Sequence, residues 1–181
     1  RGLGDVYKRQ ADGRYADALK LIKKDNPFPA VCGSICRKYC EDACTRGTVD
    51  EPLQIDEIKK FIAEQDMKAE HRYVPPMVSC THEKFDQKIA IIGGGPTGIA
   101  AAYFCGRAGI ETTIFERESC LGGVPRHVIP SFRIANEAIE KDIALMEKYG
   151  VEVKCGAPAP SVDELKKQGY THILLAVGAW K

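Results

Sequence analysis

Apolar residues recur along this chain in two different rhythms. Tyr15, Ala18, Leu19 and Ile22 stand at helical spacing, which predicts a short amphipathic helix over about 14–25. Asn26-Pro27-Phe28-Pro29 ends it, because a proline disfavours helical geometry in the residue before it. Pro52 precedes a second helix, about 55–71, with Ile55, Ile58 and Ile62 on one face. Val74-Pro75-Pro76 breaks that helix, and 73–86 has the texture of a linker. From Lys88 the rhythm changes. KIAIIG is a short, β-branched apolar run of the kind found in strands buried on both faces. Pro96 sits where a helix would start, and that helix is expected to run to about Gly109. ETTIFE (111–116), VEVKC (151–155) and HILLAV (172–177) are further strands. Between them, Ile139, Ile143 and Met146 mark a helix stopped by Gly150, and 162–168 predicts a short one. Strands alternating with helices imply a parallel sheet.

The turn joining the first strand to its helix carries chemistry. Gly93-Gly94-Gly95-Pro96-Thr97-Gly98 has the G-x-G-x-x-G spacing of a dinucleotide site, in the strand–turn–helix context it requires. Gly93 permits the tight turn, Gly95 the approach of backbone to phosphate, and Gly98 the packing of helix on strand. The helix N-terminus offers N–H groups and a partial positive charge to a pyrophosphate. Glu116, at the end of the second strand, stands where an acid binds ribose hydroxyls, with Arg117 beside it. Gly122-Gly123 follows after a charged loop. Bare backbone there would let a large flat cofactor lie close, which favours FAD over NAD.

Cys32, Cys36, Cys40 and Cys44 occupy every fourth position. On a straight helix the first and last would stand about 18 Å apart, too far for one compact centre. Either the segment loops around one centre, or its cysteines are divided between two. Gly33 and the preceding prolines favour an irregular loop. Zinc sites usually pair C-x2-C with a distant C-x2-C, and the uniform gaps here suit iron–sulfur better. Cys80, Cys105, Cys120 and Cys155 are scattered, and core filling is the expected role of Cys105 and Cys155. None of the four His residues has metal-ligand or triad spacing, and His127 falls in a basic loop expected to be solvated.

The 181 residues suffice for one domain and a smaller appendage. A net charge of +1 makes no broad case for nucleic acid or an anionic membrane as partner. No apolar run approaches membrane-spanning length and no secretory signal is visible. Clustered cysteines beside a nucleotide motif favour a reducing compartment, the cytoplasm, over a disulfide scaffold. The chain opens RGLGDVYKRQ, which resembles translated adapter sequence from environmental DNA assemblies, so residues 1–10 are expected to be non-native. With Lys181 directly after an apolar strand, both ends look cut.

NPFPAVCGSICRKYCEDAC, GTVDEPLQIDEIKKFI, KIAIIGGGPTGIAAAYF and IFERESCLGGVPRHVIPSFRI together resemble the NADPH-dependent glutamate synthase small-subunit superfamily. The N-terminal part of dihydropyrimidine dehydrogenase belongs to it, and the VIPSFRI loop is most similar to selenate reductase-type iron–sulfur/FAD subunits. The resemblance covers 11–181. It implies a small all-α iron–sulfur domain (11–72), the linker (73–86) and an incomplete α/β Rossmann-like FAD-binding domain (87–181). It further implies two [4Fe-4S] clusters, with one cysteine motif upstream of this chain. By position, Cys36, Cys40 and Cys44 match cluster ligands, and Cys32 matches a position that is not always one. A Gln or Glu of relatives falls near Lys59, whose ammonium has no lone pair for iron. Gly93, Gly94, Gly95, Pro96, Thr97, Gly98, Glu116, Arg117, Gly122 and Gly123 match the FAD positions.

The implied activity is oxidoreduction. NADPH, bound outside this segment, gives hydride to FAD, and electrons pass through [4Fe-4S] clusters to a partner subunit or domain. No catalytic side chain is implied within this segment, and the 181 residues alone are expected to be inactive. The rival is a non-catalytic, zinc-stapled adaptor with a nucleotide-binding fold.

Overall fold

The computed structural model describes residues 4–78 and 85–179. The chain divides into two compact units, one ending at Pro75 and one starting at Pro76. Residues 79–84 of the expected linker, Cys80 among them, lie outside the described residues.

The first unit is all helical: α1 (Gly4–Ala11), α2 (Tyr15–Asp25), α3 (Pro29–Ile35), α4 (Tyr39–Asp42), a 3₁₀ turn (Thr45–Thr48) and α5 (Ile55–Lys68). Helix α1 lies within the opening stretch expected to be non-native. The cysteine segment is not the irregular loop its composition suggests. Pro29 sits in the first turn of α3, where its missing N–H costs nothing, and so starts that helix rather than breaking it. Gly33 is needed for a different reason. A Cβ there would stand 2.7 Å from Lys60 Cβ and 2.9 Å from Lys60 Cα, so the glycine lets α3 press directly on α5. The chain then turns at Lys38, whose φ of 62° is left-handed, and re-enters helix at α4.

The core of this unit is Ala18, Leu19, Ile22 and Ile62, with Leu21, Ile58 and Tyr73 packed against it. At its edge Lys23 is fully buried and pairs with Asp66 at 2.9 Å. Lys23 also donates to the Tyr73 carbonyl at 2.8 Å. Asp66 in turn accepts the Tyr73 N–H at 2.8 Å and Arg72 Nε at 3.1 Å. These bonds carry the chain away from α5, which ends at Lys68, three residues short of the predicted boundary.

The second unit is β1 (Lys88–Ile92), α6 (Pro96–Arg107), β2 (Glu111–Glu116), α7 (Val124–His127), α8 (Asn136–Glu147), β3 (Glu152–Cys155), α9 (Val162–Lys167) and β4 (His172–Leu175). The strands form one parallel sheet in the order β3-β2-β1-β4, as the alternation of elements predicts. Ile91 is paired with Ile114 on one side and Leu174 on the other. Beneath one face lie Ala90, Phe115, Leu165 and Tyr170. The Tyr170 hydroxyl donates to Thr113 Oγ1 at 2.9 Å, which satisfies a buried polar pair. Helix α6 packs on β2 and on α8, with Tyr103 fully buried. In α8 the buried positions are Ile139, Asp142, Leu145 and Met146, so Leu145 takes the place predicted for Ile143. Helix α7 has no counterpart among the predicted elements.

Candidate functional site

Strand β1 stops at Ile92 because Gly93 takes a φ of 110°, which side chains rarely adopt. Its N–H still reaches the Phe115 carbonyl at 2.9 Å, and the chain then turns into α6. A Cβ on Gly93 would strike the Ala176 carbonyl, and one on Gly98 would overlap the Gly93 carbonyl oxygen. The first and third glycines of the motif are therefore demanded by packing alone. Gly95 differs. Its φ is −80°, open to any residue, and a Cβ there meets only Gly123 Cα, at 3.8 Å. The space in front of Gly95 is unfilled by protein, at the N-terminus of α6, with Pro96 and Thr97 exposed. An anion placed there would face the amide groups of the first helical turn.

Glu116 ends β2 with its side chain turned inward, 8% exposed. Its Oε2 accepts the Gly94 N–H at 2.6 Å and its Oε1 accepts the Glu118 N–H at 3.0 Å. Sequence reasoning assigns this carboxylate to ribose. The structure adds that it also ties the glycine turn to the loop after β2. Arg117 is exposed, with Nε 3.3 Å from Glu118 Oε1. Gly122 and Gly123 have φ of 133° and 55°. Gly122 donates to the Gly94 carbonyl at 2.9 Å, and a Cβ on Gly123 would come within 2.7 Å of Gly95 Cα. The second glycine pair thus seats the loop on the first glycine turn.

Around these residues is a cleft of about 310 Å³ at the carboxyl ends of the strands. Gly93, Gly95, Glu116 and Arg117 line it with Val124 and His127 of α7 and with Ala176–Gly178 after β4. That is where open α/β sheets bind their ligands. His127 is exposed, as expected, but it stands on a helix at the cleft and not in a loop. Four residues are too few to show helical periodicity, so no sequence signal would have found α7.

Within the described residues, Cys32, Cys36, Cys40, Cys44, Cys105, Cys120 and Cys155 are free thiols. Cys105 is half-buried, and burial raises its pKa. Cys155 is exposed at the end of β3, opposite Glu116, and so fills no core.

The four clustered cysteines have different surroundings. Cys32 lies inside α3 and its Sγ–H donates to Asn26 Oδ1 at 3.6 Å, the habit of a protonated thiol. Cys36 ends α3 and accepts the Lys38 N–H at 3.5 Å. Cys40 is exposed on α4. Cys44 is aimed at the backbone amides of Leu53, Arg46 and Gly47, which lower its pKa despite partial burial. Among the described residues, no three His, Cys, Asp or Glu side chains are gathered closely enough to hold a metal ion. The donor set nevertheless suits iron. Backbone amides around Cys36 and Cys44 favour the thiolate, the form that ligates metal. Cys32 is the odd one out, engaged with Asn26.

Comparison with known proteins agrees with this division. Residues 6–71 match the family model described as dihydropyrimidine dehydrogenase domain II, 4Fe-4S cluster, and residues 91–151 match an NAD(P)-binding Rossmann-like domain. YgfK of Escherichia coli strain K12, named a candidate oxidoreductase, is 41% identical over 170 residues, covering 93% of this chain and 16% of YgfK. The NAD-dependent dihydropyrimidine dehydrogenase subunit PreT of Salmonella typhimurium is 32% identical over 178 residues, covering 96% of this chain and 41% of PreT. The small chain of Bacillus subtilis NADPH glutamate synthase is 30% identical over 172 residues, covering 93% of this chain and 34% of that one. The chain therefore spans less than half the length of each of these relatives. A 4Fe-4S match over the cysteine segment disfavours the zinc-stapled adaptor.

Proposed function

We propose that this chain, a dihydropyrimidine dehydrogenase-type 4Fe-4S domain followed by an NAD(P)-binding Rossmann-like domain, is the flavin-holding part of an NAD(P)H-dependent oxidoreductase. Its place is between a reduced nicotinamide and an iron–sulfur centre that passes electrons to a partner subunit or domain, in the cytoplasm. Relatives named as subunits of a dehydrogenase support the partner. FAD supplies the conversion between two-electron and one-electron transfer, and the cluster supplies the one-electron path.

The observation that carries the reading is the buried Glu116 carboxylate at the ribose end of the cleft. A carboxylate there accepts from ribose hydroxyls and repels a 2′-phosphate, so NADPH is the wrong dinucleotide for this cleft. FAD has the free hydroxyl it needs. Gly95 keeps the path of the pyrophosphate clear, and Gly122-Gly123 keeps the opposite wall without side chains. Cys36, Cys40 and Cys44 would serve as cluster ligands, with Cys32 beside them.

Titration of the flavin-free protein with FAD, NAD and NADPH tests this. FAD is expected to bind tightest and NADPH weakest. Glu116→Ala removes acceptors for the ribose and for the Gly94 N–H. Charged hydrogen bonds of this type contribute about 1.5–3 kcal/mol, so FAD affinity should fall about ten- to hundred-fold. Unchanged affinity, or NADPH binding ahead of FAD, would reject the assignment.

A further inference from the structure

Helix α5 delivers a cation to the cysteine segment. Asp56, in its first turn, is 1% exposed, and neither carboxylate oxygen accepts a hydrogen bond. Oδ1 nevertheless lies 2.5 Å from Lys59 Nζ, one turn along the helix. A carboxylate buried in this state is costly unless a cation stays on it. The start of α5 is fixed as well. The Asp56 N–H donates to Glu41 Oε1 at 2.8 Å, which ties it to α4 beside Cys40.

The other side of Lys59 is the cysteine segment. Gly33 is in near-contact with the Lys60 backbone, so α3 meets α5 between Cys32 and Cys36 on one side and at Lys59-Lys60 on the other. The Lys59 side chain is only 17% exposed. Burial works against its charge. The Asp56 carboxylate, and then negative charge at Cys36 and Cys32, outweigh burial and hold the ammonium pKa above the ordinary lysine value. Lys38, also near Cys36, is engaged with Glu57 at 2.8 Å. Lys59 is thus a half-buried ammonium, clamped by a carboxylate with no hydrogen bond of its own, beside the thiols that would hold iron.

We propose that Lys59, held by Asp56, is a positioning residue for the iron–sulfur centre: it places a fixed positive charge beside Cys36 and raises the reduction potential of the cluster without ligating iron. An ammonium has no lone pair to offer a metal, but it donates to sulfur and stabilises the added electron. The inference rests on the iron–sulfur reading above.

The experiment is a dithionite titration of the anaerobically purified protein, followed by electron paramagnetic resonance, with iron and sulfide counted in every variant. Lys59→Met should keep its iron and sulfide yet bind the electron at least tenfold less well, a fall of about 59 mV for one electron. Lys59→Gln, which keeps a polar side chain without charge, should fall likewise, and Lys59→Arg should stay near wild type. An unchanged midpoint in both neutral variants, with iron retained, overturns the proposal. Loss of iron and sulfide from the Met, Gln and Arg variants alike also overturns it, because Lys59 would then be structural or a ligand. Wild-type protein without sulfide overturns the iron–sulfur reading itself, and the inference with it.

Discussion

A valine at position 95 is expected to leave the second unit folded and to lower its affinity for FAD at least hundred-fold. Gly95 has a φ of −80°, which valine adopts without strain, and its added Cβ would meet only Gly123 Cα at 3.8 Å. The new methyl groups would instead stand where the pyrophosphate must approach the backbone. A hundred-fold loss corresponds to about 2.7 kcal/mol, which displacement of a bound phosphate readily exceeds. Gly98→Ala makes the contrasting case. Its Cβ would overlap the Gly93 carbonyl oxygen, so β1 and α6 must separate and the unit should melt early or fail to fold. Thermal melting by circular dichroism, with flavin fluorescence titration, separates the two. If Gly95→Val melted like Gly98→Ala, the space in front of Gly95 would be needed for folding and not for a ligand.

The second large effect is expected in the helical unit. Lys23→Met removes the cation from a site where Lys23 is fully buried and Asp66 nearly so. Stranding a buried charge in this way typically costs about 3–5 kcal/mol. Arg72 Nε, at 3.1 Å, and the Tyr73 N–H, at 2.8 Å, still reach Asp66, so the lower end of that range is expected. Lys23→Met/Asp66→Leu removes both charges and should recover much of the loss, because the penalty belongs to the unpaired carboxylate. Urea unfolding of the single and double variants reads this out. A double variant no more stable than Lys23→Met would show that the bonds to Tyr73, and not the charge pair, hold α2 against α5.

The sheet and its glycine turn were legible because each carries a local requirement. Ile89–Ile92 is apolar without interruption because β1 is central, and Gly93 and Gly98 stand where any side chain would strike backbone. The cysteine segment misled because breaker residues serve other purposes there. Pro29 starts a helix, and Gly33 makes room for the Lys60 backbone. Such a use depends on a neighbour distant in sequence, which no window of residues contains. The Lys23–Asp66 pair, 43 residues apart, was invisible for the same reason. Within the candidate site, Glu116 was found from its distance to the glycine turn. Its second task, holding the Gly94 and Glu118 amides, emerges only when the loop after β2 folds back. The pairing of Asp56 with Lys59 was open to a helical-spacing argument, but the burial that gives it meaning was not.

The central claim is that a cluster-binding segment and a flavin site share this chain. Its most direct test is the anaerobically purified protein, assayed together for iron, acid-labile sulfide and flavin and inspected by visible absorption. The account predicts iron and sulfide in equal amounts, stoichiometric FAD released on denaturation, and a brown protein whose visible absorption is bleached by dithionite. A colourless protein with stoichiometric zinc, no sulfide and no flavin would contradict it and restore the zinc-stapled adaptor.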